Sequence, residues 1–170
     1  DTSTEDKVHL TLDEAKSYFE TFVEEFNLFP GDSLVTRSMA VGFPAVTPQW
    51  KKGLEFELDN RKFVEVPLNL RAGTILDNQN GERTPEEYNY RNTQTRIIGY
   101  KGYDGEIEFR IVRITADLEY LLASKNNLKK LSVADLKRFS GAVRYYRLDG
   151  GYEKGLVYKK GNQTGVILKI

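Results

Sequence analysis

The side chains that could serve as catalytic acids or bases occur in sequence contexts that do not favour catalysis. His9 is the single histidine of the 170-residue chain, and it precedes the first predicted helix beside a polar terminus, where a base would lack a buried neighbourhood. Glu55 with Glu57, and Glu106 with Glu108, form carboxylate pairs in alternating sequence. Glycoside hydrolysis needs two carboxylates, but alternation places such pairs on any solvent-facing strand. We therefore predict no catalytic residue and keep a carboxylate-based glycan hydrolase as an alternative.

Ligand sets for metals and cofactors are also missing from the sequence. The chain has no cysteine, so disulfides and thiolate sites are excluded, and zinc would lack its preferred ligands. Residues 77–82 resemble a calcium loop, but Gln79 and Gly81 stand where the EF-hand spacing needs Asp or Asn. The glycine-rich stretches do not match a phosphate-binding loop. We predict neither a metal site nor a cofactor.

Aromatic side chains beside basic ones are the residues whose types suit binding. Tyr88, Tyr90 and Arg91 lie in a polar segment, and Trp50 is followed by two lysines. Exposed tyrosine, tryptophan and arginine are typical of protein interfaces and of surfaces that stack carbohydrate. These four residues are the predicted binding residues, although packing in the core is the preferred interpretation of Trp50.

One amphipathic helix is predicted near the N terminus. Thr11 and Glu14 form a capping box, and apolar residues then recur at helical spacing from Ala15 to Phe26. Because four members of this stripe are aromatic, we expect the helix to pack against a sheet. The polar residues 1–10 are predicted to be a flexible spacer.

From Leu54 onward the apolar residues mostly alternate, which predicts strands. Residues 54–58 and 63–68 form one hairpin, with Asp59-Asn60 as its turn, and residues 95–100 and 106–114 form another around Asp104-Gly105. Three short strands close the chain, with Asp149-Gly150-Gly151 and Lys160-Gly161 at their turns.

Two segments interrupt this pattern. Residues 71–93 lack periodicity and predict a long irregular insertion, whereas 116–138 predict a short helical crossing. Together the elements predict a single α+β domain over residues 11–170. In it the N-terminal helix packs on a mainly antiparallel sheet of about six or seven strands.

Composition narrows the function classes further. Lys plus Arg equals Asp plus Glu at 25 each, and no long basic run is present, so we predict no nucleic-acid partner. No apolar run approaches the roughly 18 residues that a membrane-spanning helix needs. The hydrophobic fraction of 39% and the charged fraction of 29% are typical of a globular domain.

Three stretches of the chain form a recognisable set of motifs. They are Pro48-Gln-Trp50, residues 64–68 (Val-Glu-Val-Pro-Leu) and residues 139–152, which read Phe-Ser-Gly-Ala-Val-Arg-Tyr-Tyr-Arg-Leu-Asp-Gly-Gly-Tyr. In these motifs the chain resembles a group of uncharacterised secreted or surface lipoproteins of Bacteroidetes. Residues 155–161 are similar to that group's closing strand and turn. The resemblance spans most of residues 11–161. It implies an antiparallel sheet with a packed N-terminal helix, of cystatin-like or NTF2-like architecture, and no known activity.

The same resemblance implies a location and a modification. The protein would be extracytoplasmic, at the cell surface or in the periplasm, and would touch the membrane only through a lipid anchor outside this chain. Asp32-Ser33-Leu34 is similar to the short O-glycosylation acceptor of Bacteroidetes, so Ser33 is a predicted glycosylation site.

The leading hypothesis is a non-enzymatic cell-envelope protein that binds a protein or glycan partner. It would do so through exposed aromatic residues or a sheet edge. Besides the hydrolase, the alternative is an inhibitor of an envelope protease that uses the segment 71–93 as a projecting loop.

Overall fold

The structure, a computed structural model, describes residues 9–22, 46–70, 75–85, 92–125, 128 and 131–169. Its helices are α1 (Leu12–Phe22), a 3-10 helix (Trp50–Lys52) and α2 (Leu118–Ala123). Its strands are β1 (Val46–Pro48), β2 (Leu54–Leu58), β3 (Arg61–Leu70), β4 (Ile75–Asp77), β5 (Arg83–Pro85), β6 (Thr93–Lys101), β7 (Ile107–Ala116), β8 (Gly141–Tyr146), β9 (Tyr152–Lys159) and β10 (Asn162–Ile167). Within these ranges, no helix has the length and apolar character needed to cross a membrane.

Eight of the described strands form one antiparallel sheet in the order β1-β3-β6-β7-β8-β9-β10, with β2 also paired to β3. From β2 onward these strands follow chain order, so each pairs with the next as in a meander. Turn chemistry supports this: Asp59 and Asn60 have φ of 53° and 61°, and Lys160 and Gly161 have φ of 50° and 84°. Such left-handed pairs are the turns that join twisted strands in two-residue hairpins. The predicted α+β class with a mainly antiparallel sheet is confirmed.

Helix α1 covers one face of the sheet, here called the helix-covered face. Its capping box forms, because the Glu14 N–H donates to the Thr11 hydroxyl oxygen at 3.2 Å. A carboxylate of β2 adds a second cap, since the Leu12 N–H donates to Glu55 Oε1 at 2.9 Å. From the helix, Ala15 and Phe19 are buried against the strands. The residues they join in this core include Val64, Val66, Ile97, Phe109, Ile111, Tyr146 and Tyr152.

The predicted N-terminal spacer includes two residues that pack on the sheet. His9 forms a bridge to Lys62 of β3, and the Leu10 N–H donates to the Lys62 carbonyl oxygen at 3.4 Å. The Leu10 side chain is fully buried in the core. The packed domain therefore includes His9 and Leu10, while residues 1–8 of the spacer lie outside the described part of the chain.

The opposite, or far, face is half covered by the residues between β7 and β8, here called the cover segment (117–125, 128 and 131–140). Among the described residues of 116–138, the predicted helical crossing contains the six-residue α2. It begins where the Asp117 side chain accepts from the Tyr120 N–H at 2.8 Å. Leu128, Leu131 and Phe139 are buried. Their partners in this second core are Ile98, Val112, Ile114, Ala116 and Val143.

The insertion predicted to be irregular at 71–93 contains an ordered ribbon. Strands β4 and β5 pair across a turn in which the Asn78 Oδ1 accepts from the N–H groups of Asn80 and Glu82 at 2.9 and 3.1 Å. The ribbon packs on the β8–β9 turn, where the Asp77 N–H donates to the Gly150 carbonyl oxygen at 2.7 Å. The prediction was wrong for residues 75–85, since strands of three residues are too short to display a period.

Candidate binding surface

The end of the far face that the cover segment leaves open carries a cluster of rings, here called the aromatic patch. Its members are Phe56, Leu58, Arg61, Phe63, Tyr100 and Tyr103. Alternation along β2, β3 and β6 points these strand residues to one face, and the register of the β2–β3 pair sets Phe56 opposite Phe63. Leu58 is 55% exposed and Tyr103 is 81% exposed. The patch is therefore an apolar surface on paired strands and the β6–β7 turn that remains in contact with solvent.

The rings of the patch pack on one another. Phe56 and Phe63 stack with centroids 5.3 Å apart and planes 14° apart, and Phe63 lies 6.0 Å from Tyr100. The Arg61 guanidinium sits 4.5 Å from the centroid of the Tyr103 ring, a cation–π contact. Because neighbouring side chains stand up from the sheet and stack face to face, ring edges rather than open ring faces form much of the outer surface.

A chain of polar contacts borders the patch on β7 and β9. The Tyr100 hydroxyl donates to Glu108 Oε2 at 2.6 Å, and the Arg110 Nε donates to Glu153 Oε2 at 2.5 Å. The Arg110 Nη2 also lies 4.0 Å from Glu108 Oε2. Burial, together with the hydrogen bond to Glu108, raises the pKa of Tyr100 to about 12. The tyrosine thus stays a donor at ordinary pH, and the charges along this border are paired with each other.

Beneath the cover segment lies a buried polar cluster that was not foreseen from the sequence, here called the Glu65 cluster (Glu65, Arg96, Leu131, Ser132 and Val133). Glu65 is fully buried; it accepts a hydrogen bond from the Ser132 hydroxyl and one of 2.8 Å from the Val133 N–H. The Arg96 Nε donates to the Leu131 carbonyl oxygen at 2.7 Å and lies 3.9 Å from Glu65 Oε1. The cluster is closed from solvent and holds the cover segment on the sheet.

A sequence signal for that cluster does exist. Glu65 is flanked by two valines, and Arg96 is followed by two isoleucines. A charged residue inside such an apolar strand, with an opposite charge in the next strand, is typical of a buried pair because an isolated buried charge is too costly. What the sequence leaves open is the third partner, which comes from residues 131–133.

The predicted site residues are only partly within the described ranges. Tyr88, Tyr90, Arg91 and the predicted glycosylation site Ser33 lie outside them. Trp50 is half-buried in the 3-10 helix and packs against the core under α1. Its ring centroid lies 5.7 Å from that of Phe19, with the planes 65° apart. The aromatic patch does not include Trp50.

The acidic motifs take structural roles. Glu55 caps α1, and Glu14 makes an ion pair with Lys101 of 2.6 Å. The hydrogen bond from Lys101 lowers the pKa of Glu14. In the calcium-like stretch, Asn78 closes a turn. Among the described residues, no three His, Cys, Asp or Glu side chains are arranged to hold a metal ion.

Comparison with known proteins does not assign the chain to a family. No family model, no curated protein and no solved structure matches the chain. The likeness to Bacteroidetes lipoproteins therefore rests on the motifs quoted above.

Proposed function

We propose that this protein is a non-enzymatic binding protein of the cell envelope whose partner is another protein, held at the aromatic patch. The observation that carries the proposal is the joint exposure of Leu58 and Tyr103 beside half-buried rings and Arg61. Tyrosine and arginine are enriched at the residues that dominate protein–protein affinity. Apart from Tyr103, which lies in the β6–β7 turn, the patch residues lie on paired strands, so less conformational entropy is lost on binding.

The packing within the patch favours a protein over a glycan. Carbohydrate binds on open ring faces, whereas Phe56 and Phe63 cover each other's faces. Protein interfaces combine an apolar centre with a polar rim, and the paired residues Glu108, Arg110 and Glu153 form such a border. Glycan binding is kept as an outcome of the test.

The envelope location and the finer fold type belong to the same proposal. Both rest on the Bacteroidetes-like motifs, and an N-terminal helix packed on an antiparallel sheet is compatible with the cystatin-like or NTF2-like architecture they imply. On this proposal the protein is extracytoplasmic, Ser33 is glycosylated, and any lipid anchor lies outside this chain.

The two alternatives gain less support from the geometry. For the hydrolase, Glu55 accepts from a helix N–H and Glu108 accepts from a tyrosine, so one carboxylate of each sequence pair already accepts a hydrogen bond. For the protease inhibitor, the β4–β5 ribbon packs on the β8–β9 turn, and the Arg83 guanidinium donates to the Asp149 carbonyl oxygen at 3.1 Å. A ribbon held in this way does not project as an inhibitory loop.

Affinity capture with matched variants tests the proposal. The protein is immobilised, and the envelope fraction of the source cell is passed over it alongside Tyr103→Ala and Leu118→Ala. Both residues are highly exposed, at 81% and 70%, so neither change should affect folding, but only Tyr103 belongs to the patch.

We expect the column to capture a partner protein. The affinity of Tyr103→Ala for this partner should be about tenfold lower, which corresponds to roughly 1.4 kcal/mol of binding free energy. The affinity of Leu118→Ala should be unchanged. Equal capture by both variants would remove the patch as the site. Binding to purified envelope glycans that Tyr103→Ala abolishes would replace the protein partner with a glycan. A parallel Tyr88→Ala/Tyr90→Ala variant examines the surface predicted from the sequence.

A further inference from the structure

Strand β10 forms an edge of the sheet that lacks the usual protection. Among the described strands it pairs with β9 alone. Natural edge strands are blocked by charges, by proline or by bulges that twist them away. Here the only such device is a bulge near Gln163, and residues 162–168 include no charged side chain. Beyond the bulge, Val166 and Leu168 are 53% and 72% exposed.

The pairing of β10 with β9 determines which backbone N–H and C=O groups of β10 point away from the sheet. Ile167 is the partner of Gly155, and its carbonyl oxygen accepts from the hydroxyl of Tyr152 on β9 at 2.7 Å. The N–H and C=O of one strand residue point to the same side, and that side alternates along the strand. Val166 and Leu168 therefore direct their backbone groups away from β9, and their side chains share one face of the sheet.

The β9–β10 hairpin carries an excess of positive charge. Residues 152–169 contain four lysines and one glutamate, although the whole chain has a net charge of zero. The glutamate, Glu153, is paired with Arg110. A lysine at the hairpin turn, Lys160, lies 4.0 Å from Glu119. A second copy of β10 would bring more lysines to the edge, whereas an acidic strand would find opposite charge.

We propose that the β10 edge binds an extended acidic segment of a partner protein, which adds to the sheet as a further strand. Its backbone would pair with Val166 and Leu168, and its apolar side chains would pack beside theirs. Its carboxylates would point to the opposite face of the sheet, toward Lys159 and Lys169. This inference rests on the proposed function in treating the molecule as a binding protein. It assigns a second surface, distinct from the aromatic patch, and names the chemistry of the segment bound there.

A synthetic peptide of alternating valine and glutamate, about eight residues long so that it spans one strand, is the probe. Its control is a peptide of the same length in which lysine replaces glutamate. Affinity is measured by fluorescence anisotropy, and the site of contact by amide hydrogen exchange. We expect the acidic peptide to slow exchange at Val166 and Leu168, and the basic peptide to bind at least about tenfold more weakly.

Two variants locate the interaction. Val166→Pro removes a backbone N–H that points away from β9, so it should leave the β9–β10 ladder intact and abolish peptide binding. Lys159→Glu/Lys169→Glu tests the charge on the face to which the peptide's carboxylates point, without changing the backbone, and Lys125→Glu is its control. We expect the double variant to lose affinity by about tenfold or more at low salt, and the control to keep it. If Val166→Pro does not fold, the lysine variants test by themselves whether the peptide binds at the β10 edge.

Several results would overturn the inference. Equal affinity for the two peptides would remove the charge argument, and exchange protection at β2 instead of β10 would place the site elsewhere. Self-association that Val166→Pro abolishes would identify a second copy as the occupant. If Tyr103→Ala loses the captured partner but the peptide does not bind, the edge proposal alone fails. If the peptide binds but Tyr103→Ala has no effect on capture, the aromatic-patch proposal alone fails.

Discussion

The far face of the sheet has two ends that are built from the same alternating strands but are finished differently. At the covered end, Glu65 and Arg96 are buried beneath the cover segment and are fully engaged with it. At the open end, Tyr100, Glu108 and Arg110 form a similar chain of contacts that solvent reaches. The role of a charged strand residue therefore depends on whether another segment of the chain covers it. A buried charged residue holds another segment on the sheet, whereas an exposed one borders the surface that we propose as a binding site.

The largest change in stability is expected when Glu65 is replaced. Glu65→Ala removes the carboxylate that lies 3.9 Å from the Nε of the buried Arg96. It also removes the acceptor used by the Ser132 hydroxyl and the Val133 N–H. We expect the free energy of unfolding to fall by about 3–5 kcal/mol, the usual cost of breaking a buried pair. Chemical denaturation of the purified variant measures it. A loss below about 1 kcal/mol, as at an exposed pair, would show that the two ends do not differ in this way.

Glycines in two hairpin turns give a second comparison. Gly161 lies at the covered end, where an added Cβ would come within 1.8 Å of the Lys137 carbonyl oxygen, while Gly105 has nothing within 4 Å. Their φ angles are alike, at 84° and 82°. Gly105→Ala should therefore cost about 1 kcal/mol, from strain in the left-handed region alone. Gly161→Ala should cost clearly more, because the cover segment must also shift. Equal shifts in the thermal midpoint would contradict this.

High pH should reduce the stability of both ends, through Tyr100 at the open end and Tyr145 of β8, which packs against the second core at the covered end. Burial raises the pKa of Tyr100 and of Tyr145 to about 12, from an ordinary value of 10.0. Since the folded-state pKa is the higher one, their contribution to stability is complete below pH 10 and is lost as the pH rises toward about 12. We expect Tyr100→Phe/Tyr145→Phe to flatten the fall in unfolding free energy across this window. An unchanged slope would show that other groups cause the fall.

The smallest expected effect lies at the open end. Glu108→Gln removes a charge that Tyr100 and Arg110 contact in partly exposed positions. Surface pairs of this kind contribute about 0–1 kcal/mol. The free energy of unfolding should therefore fall by no more than about 1 kcal/mol. Chemical denaturation alongside Glu65→Ala checks it under identical conditions. A loss comparable to that of Glu65→Ala would mean that the open end is built for stability rather than for binding.

Prediction from sequence succeeded where the signal is local. Thr11 caps α1 because a hydroxyl three residues before a glutamate can reach the first-turn amides. Asp59-Asn60 adopts left-handed backbone because these residues tolerate it. The ribbon at 75–85 escaped prediction because its strands are short and its support comes from the distant Gly150. The aromatic patch escaped it too, since Phe56, Phe63 and Tyr100 are separated along the chain and meet only when β2, β3 and β6 pair.

By itself, the sequence determined the antiparallel strands, their tight turns and the start of α1, because each depends on interactions between residues close in the chain. Only the tertiary structure decided which half of the far face is covered. Glu65 and Glu108 both belong to alternating strands and cannot be told apart by period alone. Their difference arises because residues 131–139 fold over one and not the other, and that placement depends on contacts between residues far apart in sequence.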